Sequence, residues 1–215
     1  MKRLAIIGSS ELAIQIINLA SECPEFQVVG YFDDFEEVNT LKNGYLILGS
    51  LKDITNSFSG KVFDLLIFGI GYNHLKAKLD IYSKYCSGIP FATVIHPDTI
   101  IDKSAEIGEG VVIYPGVIID KKVRVGSHTV LNLGCCIAHD SHVGMNSFLA
   151  PRVVISGFCN IGENCMLGTN ATIIDNISIA PCIWIGAGSI VIKNLSETGL
   201  YVGNPAKLKK VHDRF

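Results

Sequence analysis

The chain has 215 residues, 48% hydrophobic and 18% charged, which is enough for one medium domain or two small ones and excludes a disordered tail. Its net charge of −2, with no stripe of Lys and Arg, argues against nucleic acid as a partner. The apolar start Leu4-Ala5-Ile6-Ile7 stops at Gly8, too soon for a signal peptide, and the uncharged stretch from Asn176 to Ile192 is too short and too interrupted to span a membrane, so a cytoplasmic protein is expected.

Residues 1–90 alternate between strands and helices. Leu4 to Ile7 reads as a buried strand, Gly8-Ser9-Ser10 as a turn, and Glu11 to Ser21 as a helix with Leu12, Ile16 and Leu19 on one face. Gln27 to Phe32 is a second strand that runs into the acidic pair Asp33-Asp34. Phe63 to Phe68 is another strand, followed by Gly69-Ile70-Gly71-Tyr72-Asn73 and a helix from about His74 to Cys86. This order predicts a small α/β unit, a Rossmann-like β-α-β fold with a parallel sheet. Such units take ligands at the carboxyl ends of their strands, so Gly8, Ser9, Ser10, Asp33, Asp34, Gly71 and Asn73 are the candidate substrate-binding residues. Gly8-Ser9-Ser10-Glu11-Leu12-Ala13 lacks the three-glycine fingerprint of a dinucleotide site, although free amides at the start of the first helix could hold one phosphate. A unit that only packs against its neighbour is the plain alternative.

Residues 91–215 follow another rule. From Ile95, stepping by six, the residues are Ile95, Ile101, Ile107, Ile113, Ile119, Val125, Leu131, Ile137, Val143, Leu149, Ile155, Ile161, Leu167, Ile173, Ile179, Ile185 and Val191, all aliphatic. Small residues commonly follow each of these, and small or β-branched ones such as Thr129, Ser141 and Ser147 stand two places before. A period of six fits neither an amphipathic helix nor an alternating strand. It fits a chain that runs straight briefly, turns by about a third of a circle and repeats, so that three hexads close one coil and residues eighteen apart stack at roughly 4.8 Å. Cys135, Cys159 and Cys165 fall on the small position of the repeat and read as apolar fillers. The group Cys135, Cys136, His139 and His142 has no Cys-x-x-Cys pair, and no metal is expected.

Among the six histidines, His139 in Ile137-Ala138-His139-Asp140 sits two residues past a ladder position, on a turn. Neutral imidazole is suited to taking a proton from an attacking amine or hydroxyl, and Asp140 could fix its tautomer. Gly157 lies eighteen residues later, one coil along, where its amide could stabilise the oxyanion of an attacked thioester.

With Ala138-His139-Asp140 and the closing Val202-Gly203-Asn204-Pro205-Ala206-Lys207, the hexads resemble the hexapeptide-repeat sugar O- and N-acetyltransferases, the family of the bacillosamine, perosamine, viosamine and sialic-acid enzymes. Members also carry an N-terminal β-α-β domain with an acidic pair like Asp33-Asp34. The resemblance implies a left-handed parallel β-helix, a homotrimer with active sites between subunits, and acetyl-CoA as co-substrate. It further implies His139 as general base supported by Asp140, Gly157 at the acetyl carbonyl, and a nucleotide sugar in the small domain. Ala187 and Lys207 are further candidate contacts to CoA, although Lys207, Lys209 and Lys210 also read as a solvated end. Two departures stand out. The family's first-turn histidine is replaced by Leu12, and a second histidine that contacts the acetyl donor in some relatives is replaced by Phe148, which could pack on pantetheine. The expected reaction is N-acetylation of a nucleotide-linked 4-amino-4,6-dideoxyhexose. O-acetylation of a sugar, a metal-dependent hydratase using His128, His139 and His142, and a non-catalytic nucleotide-sugar-binding protein are the other readings.

Overall fold

The computed structural model describes residues 1–211 and divides into two compact units, the first Met1–His96 and the second beginning at Pro97. In the first unit β1 (Lys2–Ile7), α1 (Glu11–Ser21) and β2 (Phe26–Phe32) form where the hydrophobic pattern places them. They are followed by β3 (Leu41–Lys42), β4 (Tyr45–Gly49), α2 (Ile54–Ser59), β5 (Leu65–Phe68) and α3 (Leu75–Tyr85). The sheet order is β3-β4-β2-β1-β5, with β1 parallel to both β2 and β5. Its central strand is buried on both faces, which is why Leu4 to Ile7 reads as an unbroken apolar run. The β3–β4 hairpin and α2 go beyond the predicted elements. The hairpin turns on Asn43-Gly44, whose φ values of 50° and 82° are those of a two-residue turn that only Asn and Gly adopt readily.

Gly69, at the end of β5, lets α1 approach the sheet. A Cβ there would come within 2.6 Å of Ala13 Cβ and 2.8 Å of Ile6 Cγ2. That close packing brings the first residues of α1 alongside the ends of β1 and β5.

The second unit is built of two-residue strands repeating every six residues, and each strand pairs in parallel with the one eighteen residues on. Ile118-Ile119, for example, lies between Ile100-Ile101 and Cys136-Ile137. Three sheets result, so each coil is a triangle with one strand per side. The ladder residues from Ile113 to Val191 are 0–3% exposed, whereas Ile101 and Ile107, near the start, are only partly covered. Glycine follows several ladder residues because the next coil lies against it: a Cβ on Gly144 would sit 2.4 Å from the amide nitrogen of Glu163.

The small position two places before each ladder residue stitches one coil to the next. Thr129, Ser141 and Ser147 donate their hydroxyls to the carbonyls of Gly144, Ser156 and Gly162, fifteen residues on. Cys135, Cys159 and Cys165 direct their thiols to Ala150, Ile174 and Ala180 in the same way. The fillers are therefore also donors, capping corner carbonyls that the strand ladder leaves out.

This arrangement has a consequence at alkaline pH. Burial pushes the Cys135 thiol up to about 11 and those of Cys86 and Cys165 up to about 12, from 9.0. Thiols held protonated in the fold contribute stability that is complete below pH 9 and lost as pH rises through the folded values. Lys78 acts oppositely, since burial lowers it from 10.5 to about 7 and its contribution grows as pH rises between those values. Three thiols outweigh one amine where the windows overlap, and above 10.5 the thiols act together with the Tyr114 hydroxyl, which burial also pushes up. Calorimetric scans are expected to show the midpoint peaking near pH 9 and falling by about pH 11; a midpoint still rising there would refute the assignment.

Candidate active site

In the first unit the expected ligand-binding residues do converge. Gly8, Ser9, Ser10, Asp33, Asp34 and Gly71 line a cavity of about 390 Å³ at the carboxyl ends of the strands. Asn73 is exposed in the 3-10 turn Tyr72–His74 and does not line it; the next residue, His74, does. Sequence reading also missed Phe35, which is almost fully exposed at this cavity.

The two acids have different duties. Asp33 Oδ2 accepts the Ser9 amide at 2.9 Å and the Ser9 hydroxyl at 2.5 Å, while Oδ1 accepts the Phe35 amide at 2.9 Å. It clamps the first turn to the end of β2. Asp34 accepts the Leu51 amide through Oδ1 at 2.8 Å. Lys42 reaches the Ser9 hydroxyl and pairs with Glu36. Ser10 begins α1 without a side-chain cap, its hydroxyl donating instead to the Gly69 carbonyl. Leu12, where the resemblance places a histidine, is buried in the core.

In the second unit His139, Asp140 and Gly157 meet on one corner of the coil. Asp140 occupies the left-handed corner, φ 56°, a conformation Asp tolerates better than most residues. Its Oδ2 lies 3.1 Å from His139 Nδ1, and Lys122 Nζ is 3.8 Å from Oδ1. When Nδ1–H donates to Asp140, Nε2 carries the lone pair. Gly157 stacks on His139 one coil along. The even-numbered amides beside it, Ser156 and Phe158, donate to the carbonyls of Ile173 and His139. Gly157 points its own N–H out of that ladder, and it has no acceptor among the described residues.

Glycine is required here for space. A Cβ would stand 2.9 Å from His139 Cε1 and 3.1 Å from Nε2. The imidazole is the movable partner, so Gly157→Ala is expected to displace the ring and cost about tenfold or more in kcat, with unfolding little changed. Steady-state kinetics beside a melting curve checks this, and an unimpaired kcat would refute it.

The remaining candidates lie elsewhere in this unit. Ala187 is exposed on a different corner, Lys207 is exposed on the terminal strand Lys207–Lys210, and Phe148 is only 7% exposed in a column between Val130 and Met166. A groove of about 670 Å³ runs past His142, Asn160 and Ser178, yet neither His139 nor Gly157 lines it. Burial, aided by Arg124, lowers the pKa of His142. Cys135, just before the strand Cys136–Ile137, is buried with its thiol directed to the Ala150 carbonyl, whereas Cys136 is half-buried on that strand. Among the described residues no three His, Cys, Asp or Glu side chains are grouped as metal ligands, and no helix is long and apolar enough to cross a membrane.

Comparison with known proteins matches the PglD N-terminal domain to residues 3–81 and the GMPPB C-terminal domain to residues 90–183. No curated protein matches the sequence. Among solved structures, the chain is similar to perosamine N-acetyltransferase from Caulobacter crescentus in complex with CoA and GDP-perosamine, in a variant with one histidine replaced. The TM-score is 0.88 at 27% identity, covering 98% of each chain. The acetyltransferase domain of PglB from Neisseria gonorrhoeae superposes with a TM-score of 0.85 at 24% identity, over 97% of this chain and 100% of that one. WeeI from Acinetobacter baumannii gives 0.80 at 24%, again over 97% and 100%. These likenesses make the coil a left-handed parallel β-helix preceded by a Rossmann-like domain.

Proposed function

We propose that the chain, which is similar to sugar N-acetyltransferases over 98% of its length, is itself one and moves the acetyl group of acetyl-CoA to the 4-amino group of a nucleotide-linked 4-amino-4,6-dideoxyhexose. The observation that carries the mechanism is His139 bonded through Nδ1 to Asp140, with the unengaged amide of Gly157 one coil away. The sugar amine attacks the thioester carbonyl, forming the N–C bond. His139 Nε2 takes the amine proton, Asp140 holds the resulting imidazolium, and the Gly157 amide donates to the oxyanion. The C–S bond then breaks, and the leaving thiolate recovers the proton from the same imidazole.

The nucleotide sugar occupies the first unit's cavity. Asp34 reads the base, Asp33 keeps the turn in shape, and amides at the start of α1 meet the diphosphate. His74 is the imidazole available to the phosphates where Leu12 offers none. His139 and Ala187 stand on different corners of the triangular coil, which fits CoA lying between two copies in a homotrimer. Seven free cysteines fit a reducing, cytoplasmic setting.

The direct test is thiol release from acetyl-CoA with UDP-, dTDP- and GDP-linked 4-amino-4,6-dideoxy sugars. Turnover on one of them establishes the reaction and names the nucleotide. Turnover only with hydroxyl acceptors would replace N-acetylation by O-acetylation, and nucleotide-sugar binding without any transfer would leave a sensing protein.

A further inference from the structure

The left-handed corners of the coils recur every six residues and are filled by Gly, Asn, one Cys and other polar or charged residues, with one phenylalanine among the described residues, Phe158 at φ 58°. A bulky side chain in this conformation is strained, and burial does not compensate, because Phe158 is 57% exposed. Bulky residues held in such regions cluster at functional sites. Phe158 meets the candidate base. Its ring lies edge-to-face with the His139 imidazole, centroids 5.1 Å apart and planes at 86°, and its amide donates to the His139 carbonyl at 3.1 Å.

We propose that Phe158 is a positioning residue that holds the His139 ring with Nδ1 on Asp140 and Nε2 open to the attacking amine. The proposal rests on His139 being the base. The torsion that swings an imidazole about Cβ–Cγ is broad and roughly two-fold, so a hydrogen bond at Nδ1 alone leaves the flipped ring accessible. At this corner Gly157 closes the space behind the ring, Asp140 takes Nδ1, and Phe158 walls the remaining side. Lys121 and Lys122, one coil before His139 and Asp140, and Asp175, one coil after Gly157, are the other charged groups flanking this corner, and replacing Phe158 alters none of them.

The test uses Phe158→Asn and Phe158→Tyr in the full chain. Asparagine suits the left-handed corner, so Phe158→Asn should raise the unfolding midpoint while lowering kcat about tenfold and leaving both KM values within about twofold. Phe158→Tyr keeps the ring and should retain wild-type kcat. Nitrogen NMR of the imidazole should give one tautomer of His139 in the wild type and a mixture in Phe158→Asn. An unchanged kcat, or a raised KM at constant kcat, overturns the proposal, the latter because the ring would then be touching substrate. If the wild type transfers acetyl to no sugar, the reading of His139 fails. The tautomer comparison still decides the ring contact, and an unchanged tautomer in Phe158→Asn overturns it.

Discussion

Replacing His139 by asparagine is expected to leave thermal unfolding unchanged while cutting acetyl transfer by about 10²–10⁴-fold, the usual worth of a general base. The ring is partly exposed on a corner and supports no ladder residue, so its loss opens no cavity in the core. Asparagine can occupy the same corner and accept a bond from solvent, but it cannot take a proton at neutral pH. The loss should lie in kcat, with KM for the nucleotide sugar near the wild-type value, because the cavity proposed for the sugar's nucleotide lies in the first unit. Normal turnover in a folded His139→Asn protein would remove His139 from the mechanism. A loss accompanied by a collapsed melting curve would mean that the residue is structural.

Ile155→Asp is expected to abolish folding of the coil. Ile155 is 0% exposed and sits between Ile137 and Ile173 in the ladder. The change removes about 1.5–3 kcal/mol of apolar burial and adds several kcal/mol for desolvating a carboxylate without a partner. Together these approach or exceed the ~5–15 kcal/mol that holds a typical domain folded. Each coil is also stabilised by its neighbours, so damage at mid-ladder reaches both sides. Ile155→Val in the same position should cost only about 0.5–1.5 kcal/mol. Solubility and circular dichroism separate the two variants, and a soluble Ile155→Asp protein with a cooperative transition would contradict this account of the core.

The β-helix was legible because its period is a local, repeated demand. Every sixth side chain must be aliphatic to fill a coil and every corner must turn tightly, so Ile137, Leu149 and Ile155 announce the architecture without knowledge of their neighbours. The first unit's strands and helices were legible for a similar reason, since burial of a central strand or of one helix face leaves a periodic trace. The β3–β4 hairpin was not read from the sequence: Asn43-Gly44 is a turn signal, but β3 is too short and too exposed to leave a periodic trace beside it. His139 and Gly157 could be joined in advance because a fixed eighteen-residue stack converts spacing into adjacency.

What the sequence by itself determined, then, is the coil, the small α/β unit, and the stacking of Gly157 on His139, whereas the bond from His139 Nδ1 to Asp140 is a finding of the structure. Only the tertiary structure decided that Asp33 is consumed by the Ser9 and Phe35 amides while Asp34 keeps an oxygen for other work, because which carboxylate meets which amide depends on how loops close. It also decided that His74 rather than Asn73 lines the cavity, and that Phe148 is covered. The strained contact of Phe158 with His139 belongs to the same class: the hexad sets where a corner falls, but the cost and direction of an aromatic ring placed there depend on the side chains of the coil it rests against.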